Sequence, residues 1–183
     1  MGYFQKVVQI MYFPSHYKKH KAVELTKPYL NGQSIGVLND MPYGFRTVGN
    51  VGCGPLALYN AMRHKGLEPD LPKILRYMEL VAAPFGAAFG TFPFSMGYCL
   101  RHFGLKNKMT LSFKKLSASD SCVIAYWTKR PIFGGGHFVF CVKQEDGTFL
   151  VYNRWSNVSE PRVCKTLREV VKKHCLIVGY ILK

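Results

Sequence analysis

Acidic residues are scarce in this chain. It holds 10 Asp and Glu against 25 Lys and Arg, a formal net charge of +15 with a pI near 9.7. Such an excess attracts anionic partners: nucleic acid, a membrane surface, an anionic polymer or an acidic substrate. The basic residues are scattered, however. The densest runs, Lys18-Lys19-His20-Lys21, Arg63-His64-Lys65 and Lys172-Lys173-His174, lack the spacing of a nucleic-acid motif. The expectation is a solvated basic surface open to an anionic partner, without nucleic-acid recognition.

Long apolar runs are also lacking. The longest, 81 to 94, is broken by Pro84, Gly86, Gly90, Thr91 and Pro93, which excludes a membrane span there. Val7 to Phe13 follows Lys6, but Gln9 interrupts it and no small-residue cleavage site follows. It reads as an amphipathic helix over Tyr3 to Tyr12 rather than a signal peptide. A cytoplasmic location is expected, or a secreted one if a leader has been removed. The chain has no C-x-x-C pair and no H-E-x-x-H, so no metal site is expected. Gly134 to Gly136 does not lead into a lysine-bearing helix, so no phosphate cradle and no cofactor are expected. Of the six cysteines, Cys99 lies in a helical pattern, and Cys122, Cys141 and Cys175 lie in or beside apolar strand-like runs. These four read as small buried hydrophobes, so mostly free thiols and a reducing compartment are expected. Repeats and low-complexity tracts are absent. Residues 1–183 read as one domain, with residues 1–40 as an N-terminal extension.

What the chain does hold is the material of a folded core. Hydrophobic residues make up 48% and charged residues 19%, with 13 Phe and 11 Tyr. Asn31-Gly32 and Asn39-Asp40 read as turns, and Pro42 to Gly52 as a loop. A helix begins at Cys53, with Pro55 in its first turn and Gly66 beyond its end. Further helices are expected from Pro72 to about Val81, capped by Asp70, and from Pro93 to Phe103 before Gly104. Strands are expected over Met109 to Phe113, Ser121 to Thr128, His137 to Val142, Thr148 to Tyr152 and Cys175 to Leu182. Glu145-Asp146-Gly147 makes a hairpin, and one helix runs from Leu167 to Lys173. Helices first and antiparallel strands second define an α+β chain, a helical half packed on a sheet half, with a cleft between them.

Three residues carry candidate chemistry. Cys53 stands where a loop enters a helix, between Gly52 and Gly54. The helix terminus offers amide donors and partial positive charge, which favour a thiolate, and its own amide can hold an oxyanion. His137 follows Gly134-Gly135-Gly136 and opens an apolar strand, facing a cleft from its end. Asn153 closes the strand that returns beside it, so its amide oxygen can accept the imidazole proton. Trp155 is placed to cover that bond. Together they fill the three roles of nucleophilic catalysis.

The sequences Gly52-Cys53-Gly54-Pro55, Gly136-His137-Phe138-Val139 and Val151-Tyr152-Asn153-Arg154-Trp155 resemble the papain-like cysteine peptidase superfamily, and most of all its C39-like branch, the bacteriocin-leader peptidases and their relatives. The likeness runs from about residue 40 onward. It implies a papain-like fold and a thiol hydrolase, a peptidase or amidase with the catalytic triad Cys53, His137 and Asn153, acting on a peptide or other amide. The family places a Gln about six residues before the cysteine as a side-chain oxyanion donor. Thr47 stands there in this chain. Asn50 is the nearer substitute and Gln33 lies farther away. Two other readings share these residues: an acyltransferase using the same triad, and a non-catalytic binding module with a basic surface. The segment Phe85 to Phe92 is a candidate wall of the cleft.

Overall fold

The computed structural model describes residues 28–128, 135–171 and 175–183, with His16 and Leu25; the helix expected over Tyr3 to Tyr12 lies outside these. The described chain begins with helix α1 (Val37–Asp40), the hairpin β1 (Pro42–Tyr43) and β2 (Arg46–Thr47), and helices α2 (Val48–Val51), α3 (Cys53–His64), α4 (Leu71–Val81) and α5 (Pro84–Ala87). A 3-10 turn at Pro93–Ser95 leads into α6 (Met96–His102). Then follow β3 (Asn107–Thr110), α7 (Phe113–Ser117), β4 (Ser121–Trp127), β5 (Gly136–Lys143), β6 (Phe149–Tyr152), β7 (Arg162–Cys164), α8 (Leu167–Val171) and β8 (Leu176–Leu182).

Local chemistry accounts for the helices that hold the site. The Asp70 carboxylate accepts from the Lys73 amide at 3.1 Å, and Pro72 occupies the first turn of α4, where an amide donor is not needed. The apolar stripe Leu71, Ile74, Leu75 and Met78 is buried. In α3 every residue from Cys53 to Met62 is buried. Such a helix runs through the core, and its N-terminal end alone meets the cleft.

Six antiparallel strands form the main sheet in the order β3-β8-β4-β5-β6-β7. Alternation divides its residues between two cores. Val123, Ala125, Phe138, Phe140, Val178 and Tyr180 join the helical half, including Leu56, Ala57 and Leu58 of α3. Cys122, Ile124, Tyr126, Val139, Cys141 and Val151 face the other way, under Leu116 of α7 and Leu167, Val170 and Val171 of α8. The helical half and the sheet half are therefore as expected, and two short helices cover the sheet's second face.

Several local expectations need correction. Pro42 to Gly52 is not a loop but a hairpin followed by a helical turn. Gly44, at φ 60, makes the hairpin possible: a Cβ there would lie 2.1 Å from the Gly86 carbonyl oxygen, so the hairpin packs directly on the turn at α5. That turn holds Phe85, Gly86 and Ala87 in left-handed backbone, at φ 54, 64 and 60. Asn39-Asp40 closes α1 rather than forming a separate turn. The strand expected to run through Phe113 stops at Thr110, because Ser112 caps a helix there by accepting from the Lys115 amide at 3.4 Å. Cys175 is exposed, unlike the other five cysteines. Residues 29–35, which sequence assigns to an extension, are built into the body: Leu30 is buried, and its amide and carbonyl bond the buried Asn60 side chain at 2.8 Å each.

Candidate active site

Cys53 is the first residue of α3 and is buried. The glycines beside it are required by close approach. A Cβ on Gly52 would lie 2.5 Å from Val48, and one on Gly54 would lie 2.3 Å from the Thr91 hydroxyl. They let α2 and the 90–92 segment press against the helix start. The main-chain amides of Phe138, Gly54 and Cys53 itself act on the thiol in the direction that lowers its pKa. Phe138, one residue past His137 in β5, is the first of these. These amides favour a thiolate, but burial wins and pushes the thiol from 9 up to about 11. That displacement opposes ionisation by about 3 kcal/mol, whereas a helix terminus returns about 1 kcal/mol or less in ordinary settings. The lowered thiol pKa expected from sequence is not what the buried site produces.

His137 is half-buried at the second residue of β5, opposite Tyr126 in the register, and its ring meets the Tyr126 ring edge-on at 5.7 Å. Its Nε2 lies 2.6 Å from the main-chain oxygen of Asn153. A carbonyl only accepts, so Nε2 carries the proton and the lone pair sits on Nδ1. Burial pushes the imidazole down from 6.5 to about 4; the bond to the Asn153 carbonyl opposes this, and the nearby Arg154 adds to it. At neutral pH the site therefore rests as a neutral imidazole beside a neutral thiol.

Asn153 is buried and left-handed, at φ 56. Pairing of β5 with β6 ends at Phe140↔Tyr152, and the turn at Asn153 brings its carbonyl back to the imidazole. The side chain, expected to orient His137, goes elsewhere. Its Oδ1 accepts from the Gln33 amide at 3.2 Å, and its Nδ2 donates to Gln33 Oε1 at 3.0 Å. Asn31 Oδ1 accepts from the Asn153 amide at 2.9 Å. Gln33 is itself buried and donates through Nε2 to the Gly49 carbonyl at 3.2 Å.

Cys53, His137 and Gln33 line one cavity of about 590 Å³, with Arg46, Asn50, Val51, Trp127, Gly135 and Gly136 and the segment from Ala88 to Pro93. The Phe85 to Phe92 stretch does reach the cleft, through Ala88, Phe89, Gly90, Thr91 and Phe92. Phe89 is 83% exposed at its rim. A second cavity of about 480 Å³ shares Gln33, Asn50, Gly135, Gly136 and His137, and continues past Tyr126, Arg154, Trp155 and Ser156. Trp155 thus walls the second arm of the cleft. Asn50 is exposed, and its amide donates to the Thr47 hydroxyl at 3.1 Å. Gln33 is the site residue that sequence spacing undervalued; it stands 20 positions before Cys53, and its clamp on Asn153 exists only in the folded chain. No group of three or more His, Cys, Asp or Glu capable of holding a metal ion occurs among the described residues.

The chain has a papain-like fold, similar to that of C39 peptidase domains. The peptidase domain of Streptococcus ComA, a bifunctional ABC transporter involved in quorum sensing, is similar with a TM-score of 0.50 and 12% identity, over 71% of this chain and 89% of that one. A double-glycine-motif protease from an AMS/PCAT transporter, in complex with the leader peptide, gives 0.49 and 16%, over 72% of this chain and 83% of that one. At these identities the likeness is one of fold. No protein-family model and no curated protein sequence matches the chain.

Proposed function

We propose that this protein is a cysteine-dependent amide hydrolase. The observation that carries the reading is the shared cavity: a thiol at a helix N-terminus and an imidazole of fixed tautomer line one cleft between the two halves of the fold. His137 Nδ1 takes the Cys53 proton as the sulfur attacks the amide carbonyl, so no standing ion pair is needed. The carbonyl oxygen gains the negative charge and is held by the Cys53 amide. Gln33 is the better second donor than Asn50 because it is buried in the cavity wall and Asn50 is exposed; each amide already gives one hydrogen bond, to Gly49 and to Thr47, and has a second N–H to offer. The imidazolium then gives its proton to the leaving nitrogen as the C–N bond breaks. Water attacks the thioester, His137 takes a water proton, and the acid and the free thiol are released.

Asn153 acts through its main chain on His137 and through its side chain on Gln33. It is a positioning residue for both sides of the reaction.

Alkylation by limiting iodoacetamide across pH, read at each cysteine by mass spectrometry, tests the reading. Cys53 labelling that His137→Ala slows at least tenfold, with exposed Cys175 as internal reference, is the expected result. Cys53 labelling unaffected by His137→Ala would sink the pair and leave a papain-like fold serving as a binding module.

A further inference from the structure

The second arm of the cleft holds a cation for which the mechanism has no use. Arg154 lines it beside His137. Its guanidinium donates to the Tyr126 hydroxyl at 2.7 Å and lies 5.2 Å from the centroid of the Tyr126 ring. It also lies 5.3 Å from the centroid of the Trp155 ring, which Arg162 approaches to 4.8 Å. Tyr126 is fully buried, so the acceptor that holds Arg154 is fixed by the core. Yet among the described residues no carboxylate forms an ion pair with Arg154. A guanidinium held beside two aromatic rings, with Tyr126 its one hydrogen-bond acceptor among the described residues, is organised in advance for an oxyanion and loses little freedom on binding one.

The chemistry of the cleft says which half of a substrate meets it. On the hydrolase reading the acyl half stays on Cys53, which lines the first cavity with Val51, Phe89 and Phe92 and does not line the second. The amine half must reach His137 for its proton, and it leaves through the arm that continues from His137 to Arg154 and Trp155. That half of an amide substrate is an amino acid or peptide fragment, and its available anion is a carboxylate. We infer that Arg154 forms a carboxylate subsite on the leaving-group side of the cleft and selects amides whose departing half carries a carboxylate close to the cleaved bond. The inference rests on the hydrolase reading for the direction of departure. Two sources share the chemistry: an Asp or Glu side chain, and a free C-terminal carboxylate.

The test uses the whole chain and a proteome-derived peptide mixture, with new termini identified by mass spectrometry. Wild type is expected to cleave several-fold more often where Asp or Glu occupies the first two positions after the cut, or where the free C-terminus lies within them. Arg154→Gln should reduce cleavage at those sites selectively, Arg154→Lys should restore part of it, and Lys108→Gln, the same charge change on the far-edge strand β3, should leave the pattern unaltered. Amidating the C-termini of the mixture separates the sources: a preference that survives belongs to the side chain, and one that vanishes belongs to the terminus. Cleavage without acidic preference, or a preference that Arg154→Gln leaves intact, overturns the subsite and leaves the hydrolase standing. If wild type cleaves nothing, the hydrolase reading fails, and the subsite is decided by the alkylation rate of Cys53 with iodoacetate relative to iodoacetamide. A ratio that falls several-fold in Arg154→Gln and not in Lys108→Gln supports the subsite; a ratio equal in all three proteins overturns it.

Discussion

At Asn153 the main chain and the side chain serve different neighbours, and substitutions separate them. Asn153→Ala keeps the carbonyl that holds His137 but forces an alanine into left-handed backbone and strips Gln33 of two hydrogen bonds. Together these are expected to cost about 2–4 kcal/mol in urea unfolding. The pH profile of Cys53 alkylation should stay close to wild type, whereas His137→Ala should change it. His137 also titrates with folding. Its folded value, about 4, lies below the ordinary 6.5, so the unfolded chain binds the proton first on acidification. The stability tied to the neutral ring is complete above about pH 6.5 and is lost as pH falls toward 4, by about 3 kcal/mol at most for this half-buried ring. His137→Gln removes that dependence, and its Tm should gain several degrees on wild type between neutral pH and pH 4.5. Cys53 has the opposite sign: its contribution is complete below pH 9 and is lost as pH rises toward 11.

At the scale of elements, the start of α3 is where packing and chemistry meet. Gly54→Ala drives a methyl into Thr91, whose hydroxyl bonds Tyr43 at 3.0 Å. The expected loss is about 1–3 kcal/mol, with slower labelling of Cys53 because the helix start shifts. Asp70→Ala at the start of α4 is the matched control. It removes one cap at a cost of about 1 kcal/mol and should lower Tm without altering Cys53 labelling. The elements also differ in how far sequence reveals them. Strands β4, β5, β6 and β8 and helices α3 and α4 announce themselves by apolar pattern, caps and the hairpin at Glu145 to Gly147. β7 does not: it has three residues, two of them exposed, and is a strand only because β6 offers it an edge. The helix α7 hides behind Phe113, an apolar residue that continues the pattern of β3 until the Ser112 cap diverts the chain.

Over the whole molecule, a net charge of +15 with so few acids to offset it opposes compaction. Raising salt from about 20 to about 300 mM shortens the screening length from about 20 Å to about 6 Å and is expected to raise Tm in thermal unfolding; a flat or falling Tm would show that the charges are spaced too widely to repel. The sequence by itself determined the two-part architecture and the candidates Cys53, His137 and Asn153, because helix starts, glycine spacing and strand periodicity are local properties. The tertiary structure decided what those residues experience. Burial sets the protonation of thiol and imidazole, since desolvation depends on what the rest of the chain stacks above a site. Long-range closure brings Gln33 and Asn31 onto Asn153 across some 120 residues, a contact with no periodicity to announce it. The fold likewise sets Arg154 beside Tyr126 and Trp155 in the second arm of the cleft, because a guanidinium acquires a direction only from the surfaces that hold it.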